Sequence, residues 1–291
     1  MLILAFPDYL PQSQNLADRL DVPLKKVGLH RFPDGESLVR LPVPLPDHVI
    51  VCRSLNQPND KLVELQLCAR TARELGAKRI TLVAPYLCYM RQDIANHPGE
   101  AVSQRIVGKL LATLFDDVIT VDPHLHRIAE LKEAIPLDHA ISLSAGDAIG
   151  RFLKRRIGDA LLLGPDSESS QWVAGIADAI GFDYAIAKKI RHGDRQVEIT
   201  LPDKDYRSKP VIVIDDMVST GGTLADTVRL LKKAGADEVY AAVTHALFCG
   251  DAEAHLRAAG VKTIWSTDSI THSTSCIKLD SLLAESINSI A

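Results

Sequence analysis

Short β-branched runs alternate with longer amphipathic ones along almost the whole chain, and no other feature narrows the fold as far. Residues 2–6, 48–53, 79–86 and 118–122 read as strands. Between them, residues 60–76 carry Leu62, Leu65, Ala69 and Ala72, and residues 103–114 carry Ile106, Leu110 and Leu114. That three-to-four-residue spacing is the period of one helix face. Gly28 and Gly76 stand where turns or helix ends are expected. The second half repeats the plan, with strands expected at 160–166, 184–191, 210–216, 238–247 and 261–266, and helices at 146–155, 171–180 and 223–234. Such alternation predicts an α/β fold of mainly parallel sheets flanked by helices.

Length and composition support two such units. At about 150 residues per domain, 291 residues suggest two domains. The expected boundary lies near residue 143, giving similar α/β domains at 1–143 and 144–291, although no residue-level repeat is evident. Hydrophobic residues make up 46% and charged residues 24%, which suffices for two cores and excludes a disordered chain. The formal net charge of -4 excludes a bulk basic surface for nucleic acid, so any phosphate must be met at focused local sites. The cysteines, at 52, 68, 88, 249 and 276, are odd in number and contain no CxxC pair. This argues against a disulfide framework or structural zinc and for a reducing cytoplasm. The N-terminal MLILAFPDYLPQ reads as a first strand rather than a leader. No apolar run reaches the ~18–20 residues of a membrane helix.

The strongest local signal is VIVIDDMVSTGGT at 211–223. An apolar strand ends in Asp215 and Asp216, then come Ser219, Thr220, Gly221, Gly222 and Thr223, then a helix with Leu224, Val228 and Leu231 on one face. Glycines let backbone N–H groups approach a phosphate, and a helix N-terminus favours an anion. The carboxylates repel phosphate and suit sugar hydroxyls or a metal. Together they suit a ribose phosphate; the plain alternative is a strand–turn–helix with an Asp cap. Residues 31–45 differ from a βαβ unit: FPDGE at 32–36 reads as a turn and 37–41 as a strand, followed by Pro42, Pro44 and Pro46. This predicts a projecting hairpin or flap. RHGDRQ at 191–196 reads as a candidate mobile loop. Lys189 and Arg191, two apart, share one face of an extended strand. They suit bridging of phosphates, or simply form a solvated basic edge with Lys188 and His192. His124, after Asp122 at a strand end, and Asp166, in GPD at another, stand where α/β proteins place ligands.

These segments, in this order, resemble the ribose-phosphate diphosphokinase (phosphoribosyl pyrophosphate synthetase) family, of the type I phosphoribosyltransferase fold. FPDGE resembles the family's flap, PYLCYMRQD at 85–93 its Arg-Gln-Asp nucleotide motif, and DPH at 122–124 its Asp-x-His metal motif. GPD at 164–166 resembles its Pro-Asp turn, KIR at 189–191 its catalytic pair, and 211–223 its phosphoribosyl-diphosphate loop. The resemblance implies transfer of the diphosphate of ATP to the 1-hydroxyl of ribose 5-phosphate, with AMP leaving. It implies Lys189 and Arg191 as catalytic, and Phe32, Asp34, Glu36, Arg91, Gln92 and Asp93 as ATP-binding. It assigns Asp215, Asp216, Ser219, Thr220, Gly221, Gly222 and Thr223 to ribose 5-phosphate, and His124 and Asp166 to Mg²⁺. It also implies a homo-oligomer in which the flap completes a neighbouring subunit's ATP site, acting in the cytoplasm with neither nucleic acid nor membrane as partner.

The sequence departs from the pattern in places. Ser167-Glu168-Ser169-Ser170 replaces glycines after the Pro-Asp turn, so Glu168 is either a metal contact or a helix cap. His97-Pro98-Gly99 replaces a more basic stretch. There is no Walker A, GxGxxG, HExxH or GxSxG motif, so ATP must be held without a P-loop. A phosphoribosyltransferase would use the same 211–223 loop but needs neither the flap nor Lys189 and Arg191. A non-catalytic homologue would be expected to have lost those cations and the paired aspartates.

Overall fold

The computed structural model describes the backbone of residues 1–192 and 196–290, and of these the side chains of all but residues 171, 190–192, 196 and 197. The chain divides into two compact units, Met1–Ser144 with Leu279–Ala291, and Ala145–Lys278. The first runs β1 (Leu2–Ala5), α1 (Leu10–Leu20), β2 (Leu24–Lys26), β3 (Gly28–Arg31), β4 (Ser37–Arg40), β5 (His48–Cys52), α2 (Pro58–Glu74), β6 (Arg79–Val83), α3 (Ser103–Leu114), β7 (Asp117–Val121) and β8 (His139–Leu143). The second runs α4 (Gly146–Ile157), β9 (Leu161–Gly164), α5 (Ser170–Ile180), β10 (Asp183–Ile186), β11 (Lys188–His192), β12 (Gln196–Thr200), β13 (Val211–Val218), α6 (Gly222–Lys233), β14 (Val239–Ala246), α7 (Ala252–Ala259), β15 (Thr263–Thr267) and β16 (Ser275–Ile277). The last helix, α8 (Asp280–Ile290), returns to the first unit, where Arg19 of α1 pairs with Asp280 at 2.9 Å. The sequence places this segment in the C-terminal half; its packing does not.

The α/β architecture expected from the alternation is present. Each unit holds one six-stranded parallel sheet, in the order β2-β1-β5-β6-β7-β8 and β10-β9-β13-β14-β15-β16. Helices cover both faces of a parallel sheet, so its central strands are buried throughout and read as unbroken apolar runs. β1, β7, β9 and β14 are buried at every position. Apolar side chains on α2 and α3 pack on the first sheet (Leu65, Ala69, Val107, Leu111), and those on α6 and α7 on the second (Leu224, Val228, Leu231, Leu256).

The two sheet orders are the same order. In both units the second strand is followed by an antiparallel hairpin before the chain re-enters the sheet: β3–β4 in the first, β11–β12 in the second. The residue at which the returning strand joins the next helix is left-handed in both, Gln57 (φ 51) before α2 and Gly221 (φ 74) before α6. The units are therefore a structural repeat that carries no repeated sequence.

The N-terminal edge of the first sheet holds a buried carboxylate. Asp117 accepts from Arg79 Nε at 2.8 Å, Arg79 Nη2 at 3.1 Å and Thr81 Oγ1 at 2.7 Å, and lies 2.8 Å from His139 Nδ1. Burial alone would raise the Asp117 carboxyl; the hydrogen bonds from Arg79, Thr81 and His139 outweigh it and hold the group below its usual value. Such a group adds stability above its unfolded pKa of about 3.9, and that stability is lost as pH falls through the lower folded value. Asp117→Asn is expected to destabilise the protein by about 2–3 kcal/mol at neutral pH. The deficit should shrink in acid, measured by denaturant unfolding across pH; a deficit that does not change with pH would show that packing, not charge, is what Asp117 supplies.

Candidate functional site

In the second unit, β9 and β13 are neighbours in the sheet, yet the chain leaves β9 for β10 on one side and β13 for β14 on the other. Their C-terminal ends thus open a crevice of the kind that holds ligands in α/β proteins. β9 delivers Asp166, and β13 delivers Asp215 and Asp216. Asp216 is buried and its backbone N–H donates to Asp215 Oδ1 at 3.0 Å. Burial first, then the neighbouring Asp216 and Asp166, hold the Asp215 carboxyl well above the usual carboxylate range. Three acceptors crowded in this way call for a partner that donates hydrogen bonds or carries positive charge.

The turn into α6 follows directly. Residues 219–221 turn the chain out of β13, and Gly222 is the first residue of α6. A side chain at Gly221 would be strained by its left-handed backbone and would put Cβ 3.4 Å from the Ala252 carbonyl. The first N–H groups of α6 have no partner within the helix. The loop is braced from β14, where Phe248 and Cys249 donate backbone hydrogen bonds to the carbonyls of Val218 and Ser219, each at 2.9 Å. Ser219, Thr220, Gly221, Gly222 and Thr223 therefore line the N-terminus of α6.

Lys189 lies on β11 opposite Ile199, and its Nζ is 3.2 Å from Asp166 Oδ2. Arg191 lies two residues on along the same strand; its side chain is outside the described residues, as is the middle of the loop expected at 191–196. The altered turn after Pro165 is closed by Asp166 itself. Its Oδ1 accepts from Glu168 N–H at 3.1 Å and its carbonyl from Ser169 Oγ at 2.6 Å. The missing glycines are thus replaced by an Asx-type turn over Ser167–Ser169 that leaves Oδ2 for Lys189, and α5 begins after Ser169 without a side-chain cap.

The first unit presents its candidates on loops of its own. Phe32, Pro33, Asp34, Gly35 and Glu36 form an exposed turn at the tip of β3–β4, closed by Phe32 N–H to Glu36 O at 2.8 Å and capped by Asp34 Oδ1 on Glu36 N–H at 3.2 Å. The Phe32 ring is 39% exposed and packs edge-on to His30, which leaves a face for stacking. Arg91 and Gln92 are exposed; the loop is fixed by Gln104, which donates to Met90 O, and by Ser103, which donates to Gln92 Oε1. Asp93 is buried, and its Oδ1 pairs with Arg127 Nη1 at 2.6 Å, which braces the loop. His124 is half-buried at the end of β7 beside His126, after Asp122 in the left-handed region at φ 38. Strain of this kind concentrates at functional sites.

A crevice in the corresponding place also exists in the first unit, between β1 and β5, but it is filled from within. Asp8, in Phe6-Pro7-Asp8, lies inside the short turn Pro7–Tyr9 that follows β1, in the place that Glu168 takes in the turn Ser167–Ser169 after β9. Arg53 Nε and Lys61 Nζ neutralise it at 3.2 and 2.7 Å. Their shifts oppose. At the partly exposed Asp8 burial alone would raise the carboxyl, but Arg53 and Lys61 outweigh it and lower it; at the less exposed Lys61 burial prevails over Asp8 and lowers the ammonium. At the first position of α2, Pro58 takes the place of Gly222 and offers no N–H. One half of the repeat opens its helix with glycine and the other with proline beside a neutralised carboxylate. Sequence reading missed this, because Asp8, Arg53 and Pro58 match no motif.

The two parallel sheets flanked by helices define a phosphoribosyltransferase-type fold. Residues 1–114 match the family model described as the N-terminal domain of ribose phosphate pyrophosphokinase, and residues 142–277 that of the phosphoribosyl transferase domain. The chain is 34% identical over 295 residues to the ribose-phosphate pyrophosphokinase of Methanopyrus kandleri, covering 100% of both, and 35% identical over 265 residues to that of Saccharolobus solfataricus, covering 89% of both. The crystal structure of phosphoribosylpyrophosphate synthetase from Mycobacterium smegmatis superposes with a TM-score of 0.82 at 25% identity, over 99% of this chain and 98% of that one. The chain belongs to the ribose-phosphate pyrophosphokinase family.

Proposed function

We infer that the chain transfers the diphosphate of ATP as one unit to the 1-hydroxyl of ribose 5-phosphate, giving 5-phosphoribosyl 1-diphosphate and AMP. The observation that carries this reading is the C-terminal crevice, in which a glycine-opened helix N-terminus, paired carboxylates and a lysine adjoin. The cradle suits the 5-phosphate and the carboxylates suit ribose hydroxyls.

The C1 oxygen attacks the β-phosphorus, the bond between that phosphorus and the bridging oxygen to the α-phosphate breaks, and the hydroxyl proton is lost. Such a reaction needs positioning and charge neutralisation more than covalent help. Ser219, Thr220, Gly221, Gly222 and Thr223 hold the 5-phosphate, while Asp215 and Asp216 orient the ring. Lys189 and Arg191 meet the charge that moves from the attacking to the leaving oxygen. Phe32 stacks on adenine, Asp34 and Glu36 accept from the nucleoside, and Arg91 and Gln92 meet the phosphates and base edge. Asp93 acts through the loop it braces. The flap is read as completing the ATP site of a neighbouring subunit, which makes the working form a homo-oligomer.

The donor chemistry fits Mg²⁺: the crowded carboxylates of the second unit are hard oxygen ligands, with the Asp215 carboxyl raised by burial and by the neighbouring Asp216 and Asp166. Asp166 is the candidate ligand of that unit and His124 that of the first, and the ion would neutralise phosphate charge. A cytoplasmic setting is supported by the thiols. Cys52, Cys68 and Cys88 are free and buried, and burial pushes Cys68 and Cys88 up to about 12, which makes them inert. Among the described residues no helix is long and apolar enough to cross a membrane.

The purified chain with ATP, Mg²⁺ and ribose 5-phosphate should yield AMP and phosphoribosyl diphosphate in equal amounts. ADP as the nucleotide product, or no turnover, would overturn the reading.

A further inference from the structure

The filled crevice of the first unit continues into the flap. Arg53 lies over the Phe6 ring at 4.1 Å, and its Nη2 is 2.6 Å from Glu64 Oε2 on α2. The two side chains are 4% and 6% exposed. The other Glu64 oxygen, Oε1, accepts from Ser37 Oγ at 2.8 Å. Ser37 opens β4 and directly follows Glu36, whose carbonyl closes the Phe32 turn. A continuous polar path thus runs from Asp8 and Lys61 through Arg53 and Glu64 to the base of the flap tip.

Little else fixes the direction of that tip. Residues 31–36 are exposed. The Arg31–Asp60 pair at 2.7 Å is 61% and 56% exposed, and surface pairs of this kind hold weakly. Val39 of β4 packs on the core, but an apolar contact sets distance rather than angle. A hydrogen bond to a buried carboxylate is directional and does not yield to solvent.

We propose that Glu64, held by Arg53, is a positioning residue for ATP, acting through Ser37 to fix the flap so that Phe32, Asp34 and Glu36 are presented to the nucleotide. The proposal rests on the reading of the flap as part of the ATP site. In the second unit the equivalent crevice receives substrate; in the first it has become an internal clamp on the hairpin.

Glu64→Gln leaves Arg53 as an uncompensated buried charge and risks unfolding. Ser37→Ala removes only the flap's end of the path, and Ser37→Thr keeps its hydroxyl. The intact protein is assayed with Phe32→Ala in parallel, reading KM for ATP, KM for ribose 5-phosphate, kcat and Tm. Ser37→Ala should raise KM for ATP about tenfold, the effect of one hydrogen bond to a charged group. KM for ribose 5-phosphate and Tm should not move, and Ser37→Thr should restore ATP affinity. An unchanged ATP KM in Ser37→Ala beside a raised one in Phe32→Ala overturns the clamp alone. If Phe32→Ala also leaves it unchanged, the flap is not part of the ATP site and both readings fall. Equal rises in both KM values with a lower Tm would make Ser37 a fold contact only.

Discussion

Lys189→Ala is expected to lower kcat by about 10²–10³-fold, the usual cost of losing one preorganised electrostatic contact to a transition state. KM for ribose 5-phosphate should stay within about twofold, because the charge that Lys189 meets develops only as the diphosphate moves. In the structure Nζ of Lys189 is clamped 3.2 Å from Asp166 Oδ2, with both side chains mostly buried. That carboxylate holds the lysine in place before any substrate arrives, so little ordering remains to be done during reaction. Lys189→Arg should recover only part of the rate, since a planar guanidinium does not replace a compact ammonium. Lys188 is the internal control: exposed and paired in register with Thr200, it takes the opposite side of the strand. Lys188→Ala should turn over like the wild type. Near-normal kcat in Lys189→Ala would remove this residue from the chemistry.

What was legible in the sequence follows from where each element sits. Strands in the middle of a parallel sheet are apolar on both faces, so β5, β6, β7, β9 and β13 are all visible as runs, and the helix over residues 103–114 is bounded as observed. Edge and hairpin strands lose that signal. β2 is Leu-Lys-Lys and β3 is Gly-Leu-His-Arg, neither buried on two faces. The run 184–191 reads as one strand because no glycine or proline interrupts it. In the structure the Ala187 N–H pairs with the Gly164 carbonyl at 2.8 Å, and beyond it the chain leaves the sheet for the hairpin that carries Lys189. The turn between β13 and α6 was legible because Gly221 declares a left-handed residue in its own chemistry. Gln57 adopts the same left-handed turn without announcing it, which hid the repeat. Asp93 shows the converse, since its neighbours in the chain suggest a ligand contact and do not reveal its pairing with Arg127.

The repeat also supplies a test of the phosphate cradle, because the chain has already made the relevant substitution once. Gly222→Pro should raise KM for ribose 5-phosphate about 10–100-fold, the cost of one N–H donated to a charged oxygen. Proline at the first helical position removes an N–H that has no partner in the helix and presets the required φ. The first unit shows that this fold accepts it, with Pro58 opening α2 after a left-handed Gln57, where Gly222 opens α6 after a left-handed Gly221. Residues before proline avoid the helical region, but Gly221 can move toward the ψ of 65° that Gln57 adopts. The Tm should therefore hold, and KM for ATP should change little, since the flap and the Arg91 loop belong to the other unit. A Gly222→Pro protein with unaltered KM for ribose 5-phosphate would mean that the 5-phosphate is held by the hydroxyls of Ser219, Thr220 and Thr223 rather than by the helix N-terminus. A loss of Tm with the rise in KM would instead assign Gly222 to folding. The expected pattern, a single KM raised on an unchanged fold, is what distinguishes an open anion site from the closed one that Pro58 marks.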